Sequence, residues 1–503
     1  MEYSLRDYYK ALYFSGIYSS PHRYGYSGKL AGAMYAIGEV RDAVPVIHGP
    51  AGCGFHYKYI CRRGYLPEYN AQCTGLKERD IIFGGAGRLR SAILETVRRY
   101  APAMIAVIPA VSVDMIHDEI DNVVDSLRSV AGCRVISVKS EKFSHVDKRN
   151  RKSILEQRAK NWDNPHFKKD FDFTGCGFAE AMKAMVENIM ETQEVDKVSV
   201  NICGLAWGLG GSAIARGVER ELNELGIRVN SYIPNCTTRE IVKAPAAGLN
   251  IISRRTEWAE KMREVFGTEY FHMNSFNFYR GPEGIERFYL QISERLGIRK
   301  RIQMLISLKR RNTLEKLNEV REYFKGFRFA LYTSSYNDLP YIIEKYEKDL
   351  GIPLACVCVD MRREDLELDG ISEETRKILI KNIRQALSKT GSRAELLLNA
   401  SHEVIREALG EADFVIDEDG FNGKPAGIKS LQGVGNVMPM DFMGFEKLVF
   451  DLAQRIKKAP PHDSLLIERF QYQPGNYPML NDPNMAGSRK MWEKMWLQRR
   501  CGI

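Results

Sequence analysis

The stretch Val46-Ile47-His48-Gly49-Pro50-Ala51-Gly52-Cys53-Gly54 decides the reading of this chain. It begins as the end of a β-branched apolar run, Ala43 to Ile47, then breaks into a segment with glycines set around one cysteine. Glycine lets the backbone approach something bulky and adopt positive φ. A thiolate on such a turn, at the carboxyl end of a strand, sits where parallel α/β sheets bind ligands. Backbone N–H groups there stabilise an anionic cluster. The ordinary alternative is a buried thiol in a tight turn.

Working outward, similar short runs recur: Met104–Ile108, Arg134–Val138, Val198–Ile202, Gly248–Ser253, Arg328–Tyr332, Leu354–Val359 and Phe414–Ile416. Those without period-two alternation read as strands buried on both faces. Amphipathic stretches such as Ala213–Leu225 and Ala179–Met190 lie between them. That alternation predicts βαβ units and parallel sheets. A chain of 503 residues suggests about three domains. Boundaries are expected near Glu191–Asp196, Lys325-Gly326 and Lys458–Pro461, giving domains 1–195, 196–325 and 326–459 and a tail 460–503. The polar segment Glu141–Lys169 reads as a surface insertion or long helix. The tail carries Tyr477, Trp492 and Trp496, and exposed aromatics favour burial, so it is expected to pack on a partner subunit.

Composition narrows the function. The net charge of +9 is too mild for nucleic acid but fits docking of an acidic protein. No run reaches the ~18 apolar residues of a membrane helix. Met1–Arg6 has no apolar signal core, so a cytoplasmic protein is expected. The ten cysteines have no disulfide-like spacing and read as thiols or metal ligands.

A second segment, Leu76-Lys77-Glu78-Arg79-Asp80-Ile81-Ile82-Phe83-Gly84-Gly85, leads into a helix through Leu89. Together the two segments resemble the α and β subunits of nitrogenase component 1 and their relatives, which include the cofactor-assembly scaffold and the dark-operative protochlorophyllide reductases. Further matches are Phe171–Phe178, Thr238–Ile241 with Ala247–Ile251, and Gly444-Phe445. The resemblance spans about residues 20–455. It implies an α/β fold of three Rossmann-like doubly wound parallel-sheet domains. It also implies an iron–sulfur cluster at a subunit interface, 4Fe–4S or P-cluster-like, with Cys53 as ligand and Ser27, Gly52 and Gly54 beside it. Cys61 and Cys73 are the alternative donors. Lys58, Arg62 and Arg63 become a docking surface for an ATP-dependent iron protein.

The sequence departs from the family in two ways. Where the family places two more interface cysteines, this chain has Ser27 or Gly28 and the run Pro109–Asp114. That pattern resembles the scaffold's β-like subunit, where one chain gives one ligand and its partner three, closing a cubane. The cysteine and histidine that hold the large catalytic cofactor are also missing; Ser253-Arg254 and Val437–Met440 stand there. Any larger iron–sulfur cofactor would then be held mainly by the partner. The expected assembly is a heterotetramer of homologous subunits. The expected function is an oxidoreductase subunit relaying electrons through the interface cluster to a substrate other than dinitrogen. The alternative is a scaffold for nitrogenase-type metallocluster assembly.

Four other features read more simply. Gly204–Ser212 fits a strand–helix turn that could cradle an anion but lacks a nucleotide motif. Cys356 and Cys358 would point to one face of a buried strand. His272, Asn274 and Tyr279 could line a cavity, and His48 could cap a turn.

Overall fold

The protein is described by a computed structural model over residues 29–62, 70–110, 113, 118–139, 156–157, 159–163, 173–205, 211–253, 256–273, 279–333, 336, 338–359, 372–417, 428–432 and 438–458. Ser27, Arg63, Asn274 and the tail 460–503 lie outside these residues.

Three parallel sheets form the frame. The first contains β1 (Ala43–His48), β2 (Gln72–Cys73), β3 (Met104–Pro109) and β4 (Arg134–Ser137) in the order β2-β1-β3-β4. The second contains β5 (Asp196–Cys203), β6 (Arg228–Ile233), β7 (Ala247–Ile252) and β8 (Glu269–His272) in the order β6-β5-β7-β8. The third contains β9 (Phe329–Thr333), β10 (Leu354–Val359), β11 (Glu395–Leu398), β12 (Phe414–Asp417) and β13 (Lys429–Gln432) in the order β11-β10-β9-β12-β13. Each sheet therefore starts in its interior, adds one strand (two in the third sheet) on one side, then crosses to the other. The direction reverses beside β1, β5 and β9, and such reversals are where open α/β sheets leave a ligand crevice. No internal repeat is legible in the sequence, yet the winding repeats.

Burial explains these strands. β3 is buried at every residue, as is β9. Helices cover the faces. Lys29–Gly38 packs on Phe173–Asn188, with the rings of Tyr35 and Phe178 6.2 Å apart. One apolar cluster runs from the first sheet into the second, through Ile47, Phe178, Cys203 and Trp258. Another joins the second and third through Leu249, Phe288, Phe329 and Phe445.

Polar pins cross the same seams. Asp42 Oδ1 accepts from Thr238 N at 2.7 Å and Thr238 Oγ1 at 2.8 Å, tying the first sheet to the second. Tyr289 donates to the Met440 carbonyl at 2.7 Å, and Arg220 pairs with Asp441. The segment expected to be a surface insertion contributes to the core instead. Ala159 and Trp162 are buried, and the Ala159 carbonyl accepts from Asn382 at 2.7 Å. The polar character of its neighbours hid these two apolar residues. Among the described residues, no helix is long and apolar enough to cross a membrane.

Candidate metal centre at the first sheet's crevice

β1 ends at His48, and the helix Ala51–Arg62 begins three residues later. Cys53 thus lies in a helical first turn, with its N–H donating to the Pro50 carbonyl at 3.0 Å. The expectation of positive φ around it is corrected. Neither Gly49, Gly52 nor Gly54 adopts it, and the last two are helical. The glycines answer to packing instead. A Cβ on Gly49 would come 2.5 Å from the Ala110 Cβ, where β3 ends, so β1 and β3 close tightly at the reversal. A Cβ on Gly54 would meet the Cys73 Cβ at 2.7 Å. A Cβ on Gly52 would meet nothing within 4 Å. One side of the turn is therefore full and the other open.

The second motif packs directly against the first. The carbonyl of Gly49 accepts from Leu76 N at 2.9 Å, and Gly49 N donates to Thr74 Oγ1 at 2.9 Å. Asp80 turns the short helix Glu78–Phe83 by accepting from Lys77 N at 2.8 Å while pairing with Arg88 at 2.5 Å. The Lys77 peptide N–H, helped by Arg88, holds its carboxyl below the usual range against the opposing effect of desolvation. Gly84 then takes φ 95°, a left-handed-side conformation that favours glycine, and Gly85 starts the next helix. A Cβ on Gly85 would lie 2.9 Å from both His48 Cε1 and Leu76 Cδ2.

His48 is the residue that sequence reasoning undervalued. It is fully buried, not a turn cap. Its Nε2 lies 2.9 Å from Asp118 Oδ2, and its Nδ1 lies 3.2 Å from Thr74 Oγ1. The same Asp118 oxygen accepts from Gly85 N at 2.9 Å. Burial lowers the His48 pKa, outweighing the pull of Asp118 upward. The ring is then neutral at pH 7, and Nε2 carries the proton toward the carboxylate. His48, Thr74, Gly85 and Asp118 form one buried knot beneath the cysteine turn. Only the spacing of 70 residues between His48 and Asp118 concealed it.

Cys53 and Cys73 are both half-buried at this turn. Burial raises the Cys53 pKa, and the negative charge of a Cys73 thiolate raises it further. A thiol held protonated is a poor nucleophile. Binding a cation would reverse that, because a metal ligand must be the thiolate. Among the described residues no group of three or more His, Cys, Asp or Glu side chains gathers to hold a metal. The two thiols make at most a half-site.

The two motifs also expose large apolar side chains. Phe55, Ile82 and Phe83 are 72%, 73% and 80% exposed, and the helix Glu78–Phe83 buries none of its residues. Lys58, Cys61 and Arg62 lie on the helix Ala51–Arg62, but their side chains are outside the described residues.

The remaining candidates lie elsewhere. Cys356 and Cys358 share one face of β10 with their sulfurs 3.5 Å apart, buried among Tyr332, Ile405 and Val415. That is the buried strand expected. Tyr279 is buried and donates to Gln291 Oε1 at 2.7 Å; burial pushes its phenol up to about 12. His272 ends β8 in the second sheet. Ser253 caps the end of β7, its Oγ donating to the Cys203 carbonyl at 3.2 Å.

Comparison with known proteins accords with this geometry. The family model for nitrogenase component 1 type oxidoreductases matches residues 29–164 and 171–412. A nitrogenase iron-molybdenum cofactor biosynthesis protein NifE from Methanococcus maripaludis is 25% identical over 64% of this chain and 62% of its own length. The NifE protein of Methanosarcina barkeri is 23% identical over 78% of this chain and 84% of its own. A nitrogenase molybdenum-iron protein alpha chain from Methanosarcina barkeri is 24% identical over 61% and 54%. The chain thus spans 62% of the first relative's length and 54% of the alpha chain's. The solved structure of nitrogenase Cp1 at pH 5 superposes with a TM-score of 0.52, covering 87% of this chain and 90% of that one at 19% identity, which speaks to fold alone. The family match runs through both motifs and most of the three sheets, and this chain belongs to the nitrogenase component 1 type oxidoreductases.

Proposed function

We propose that this chain is a scaffold subunit on which a nitrogenase-type metallocluster is assembled. The observation that carries the reading is the half-site. Cys53 and Cys73 are half-buried at the turn after β1, packed tightly at Gly49 and Gly54, and the same two motifs expose Phe55, Ile82 and Phe83. Four-coordinate cluster iron needs a ligand for each metal, so a second protein must complete the shell. The apolar rim supports a partner docking over that turn. We assign the rim to a homologous subunit in a heterotetramer. Lys58, Arg62 and Arg63 would serve an iron protein that delivers electrons.

One observation favours assembly over electron relay to another substrate: several of the related proteins are named for cofactor biosynthesis. Ser253-Arg254 and Val437–Met440, standing where the family's catalytic subunits hold a large cofactor, count against dinitrogen reduction and do not separate these two readings. An iron–sulfur cluster held by Cys53 would supply a one-electron redox centre and a site from which metal and sulfide can be passed on. The chain's own groups would do the positioning. The His48–Asp118 knot fixes the end of β1, and the amino end of the helix Ala51–Arg62 would face an anionic cluster held by Cys53.

The test uses the chain purified anaerobically with its partner. Cys53→Ala is expected to stay folded and to lose the interface iron. A scaffold also releases its cluster to an acceptor protein. Unchanged iron in Cys53→Ala, or turnover of a substrate without any cluster release, contradicts the reading.

A further inference from the structure

We propose that Cys73 is the second iron ligand supplied by this chain, so that the half-site is a thiol pair and the partner completes it with two donors instead of three. The inference rests on the scaffold reading for the identity of the metal, but its geometry is independent of that reading.

Cys73 closes β2 and pairs in register with Ile47 of β1, one residue before His48. That register carries it beneath the cysteine turn, not away from it. Its Sγ lies 3.5 Å from the Pro50 carbonyl and 3.6 Å from the Gly49 carbonyl. A Cβ on Gly54, the residue after Cys53, would stand 3.1 Å from the same sulfur. Glycine at 54 is thus what lets Cys73 reach the turn.

The other described cysteines have no such setting. Cys203, Cys236, Cys356 and Cys358 are buried in sheet cores, and Cys133 lies at the far edge, against the helices behind β3 and β4. Only Cys53 and Cys73 are paired at a crevice with an open side. Two thiols at one turn are a donor pair for a thiophilic metal ion. On binding, two metal–sulfur bonds would form, two protons would leave to solvent, and the Cys73 sulfur would turn from the Gly49 and Pro50 carbonyls to the metal. Iron carried in a cluster is that cation in the present reading.

The experiment compares the complex of the full chain with Cys53→Ala, Cys73→Ala and Cys73→Ser, each loaded anaerobically with ferrous iron and sulfide. Iron per chain, the electron paramagnetic resonance signal of the reduced cluster and retention against a chelator are read. Cys73→Ala is expected to release iron roughly tenfold more readily or worse, since even outer-shell changes cost that much. Cys73→Ser is expected to keep iron with a shifted signal, because an alkoxide replaces the thiolate. N-ethylmaleimide should label Cys73 in the iron-free wild type and not in the loaded one. This last readout needs no variant, so it decides the matter even if Cys73→Ala fails to fold. Wild-type iron and signal in both Cys73 variants, with equal labelling of Cys73 in the two states, overturns the proposal and leaves Cys53 as the sole ligand. Wild-type iron in Cys53→Ala as well brings down the scaffold reading too.

Discussion

Asp118 Oδ2 stands 2.9 Å from His48 Nε2, with the two side chains 5% and 0% exposed. One oxygen therefore joins the two sequence motifs of the crevice, because it also receives the Gly85 N–H. Neither motif is complete without the other, and the joint lies directly under the turn that carries Cys53.

Removing one member leaves a buried polar group without its partner. Asp118→Ala is expected to destabilise the chain by about 1–3 kcal/mol. Asp118→Asn keeps an acceptor for both donors and should cost less. Thermal or urea unfolding measures the difference, and equal stability of the alanine variant and the wild type would refute the role given to the knot.

The same histidine sets a pH dependence. Its folded-state pKa lies below the ordinary 6.5, chiefly through burial. The unfolded chain then takes up a proton first as pH falls. Stability from this group is full above about pH 6.5 and declines as pH drops through that value toward the folded pKa, by at most about 1.4 kcal/mol per unit. His48→Gln should flatten that slope in unfolding midpoints measured between pH 7.5 and 5.5. An unchanged slope would exclude His48 as its source.

Glycine substitutions should separate packing from docking. Gly49→Ala forces a Cβ against Ala110, and Gly85→Ala forces one against His48 and Leu76. Each should cost about 1–3 kcal/mol in folding. A Cβ on Gly52 has open space within the chain. Gly52→Ala should leave the subunit's unfolding midpoint unchanged, and any loss it causes should appear in iron content or subunit association.

Ile82 and Phe83 contribute little to the isolated chain, being mostly solvent-exposed. Ile82→Lys with Phe83→Glu should therefore leave the subunit's unfolding midpoint near wild type. Association with the partner should weaken on the order of tenfold or more, as for aromatic anchors at an interface centre. Analytical ultracentrifugation reads this directly. Full-strength assembly by the double variant would remove the rim from the docking surface.

Most strands visible in the sequence lie between neighbours: β1, β3, β5, β7, β9, β10 and β12. β2, β6, β8, β11 and β13 are edge strands and were not legible, whereas β4 is an edge strand that was, its Val135 and Ile136 being buried. An edge strand is covered less completely, so Glu395–Leu398 has one exposed and three half-buried residues, and Arg228–Ile233 mixes Arg, Asn and Ser with its apolar residues. β2 has only two residues, too few for any pattern. At the site, Cys53 was legible because glycines and proline mark the turn around it. The knot below was not, since nothing local in the sequence links His48 to Asp118.

The recurring strand order has a consequence for how the protein comes into being. Each sheet is drawn from one continuous stretch of chain, with its strands in the same winding sequence. Domains of that kind form in turn as synthesis proceeds. The first sheet, with its thiol-bearing crevice, can thus be complete while the later sheets are still being made. An early encounter between that crevice and stray metal would precede any partner able to cap it.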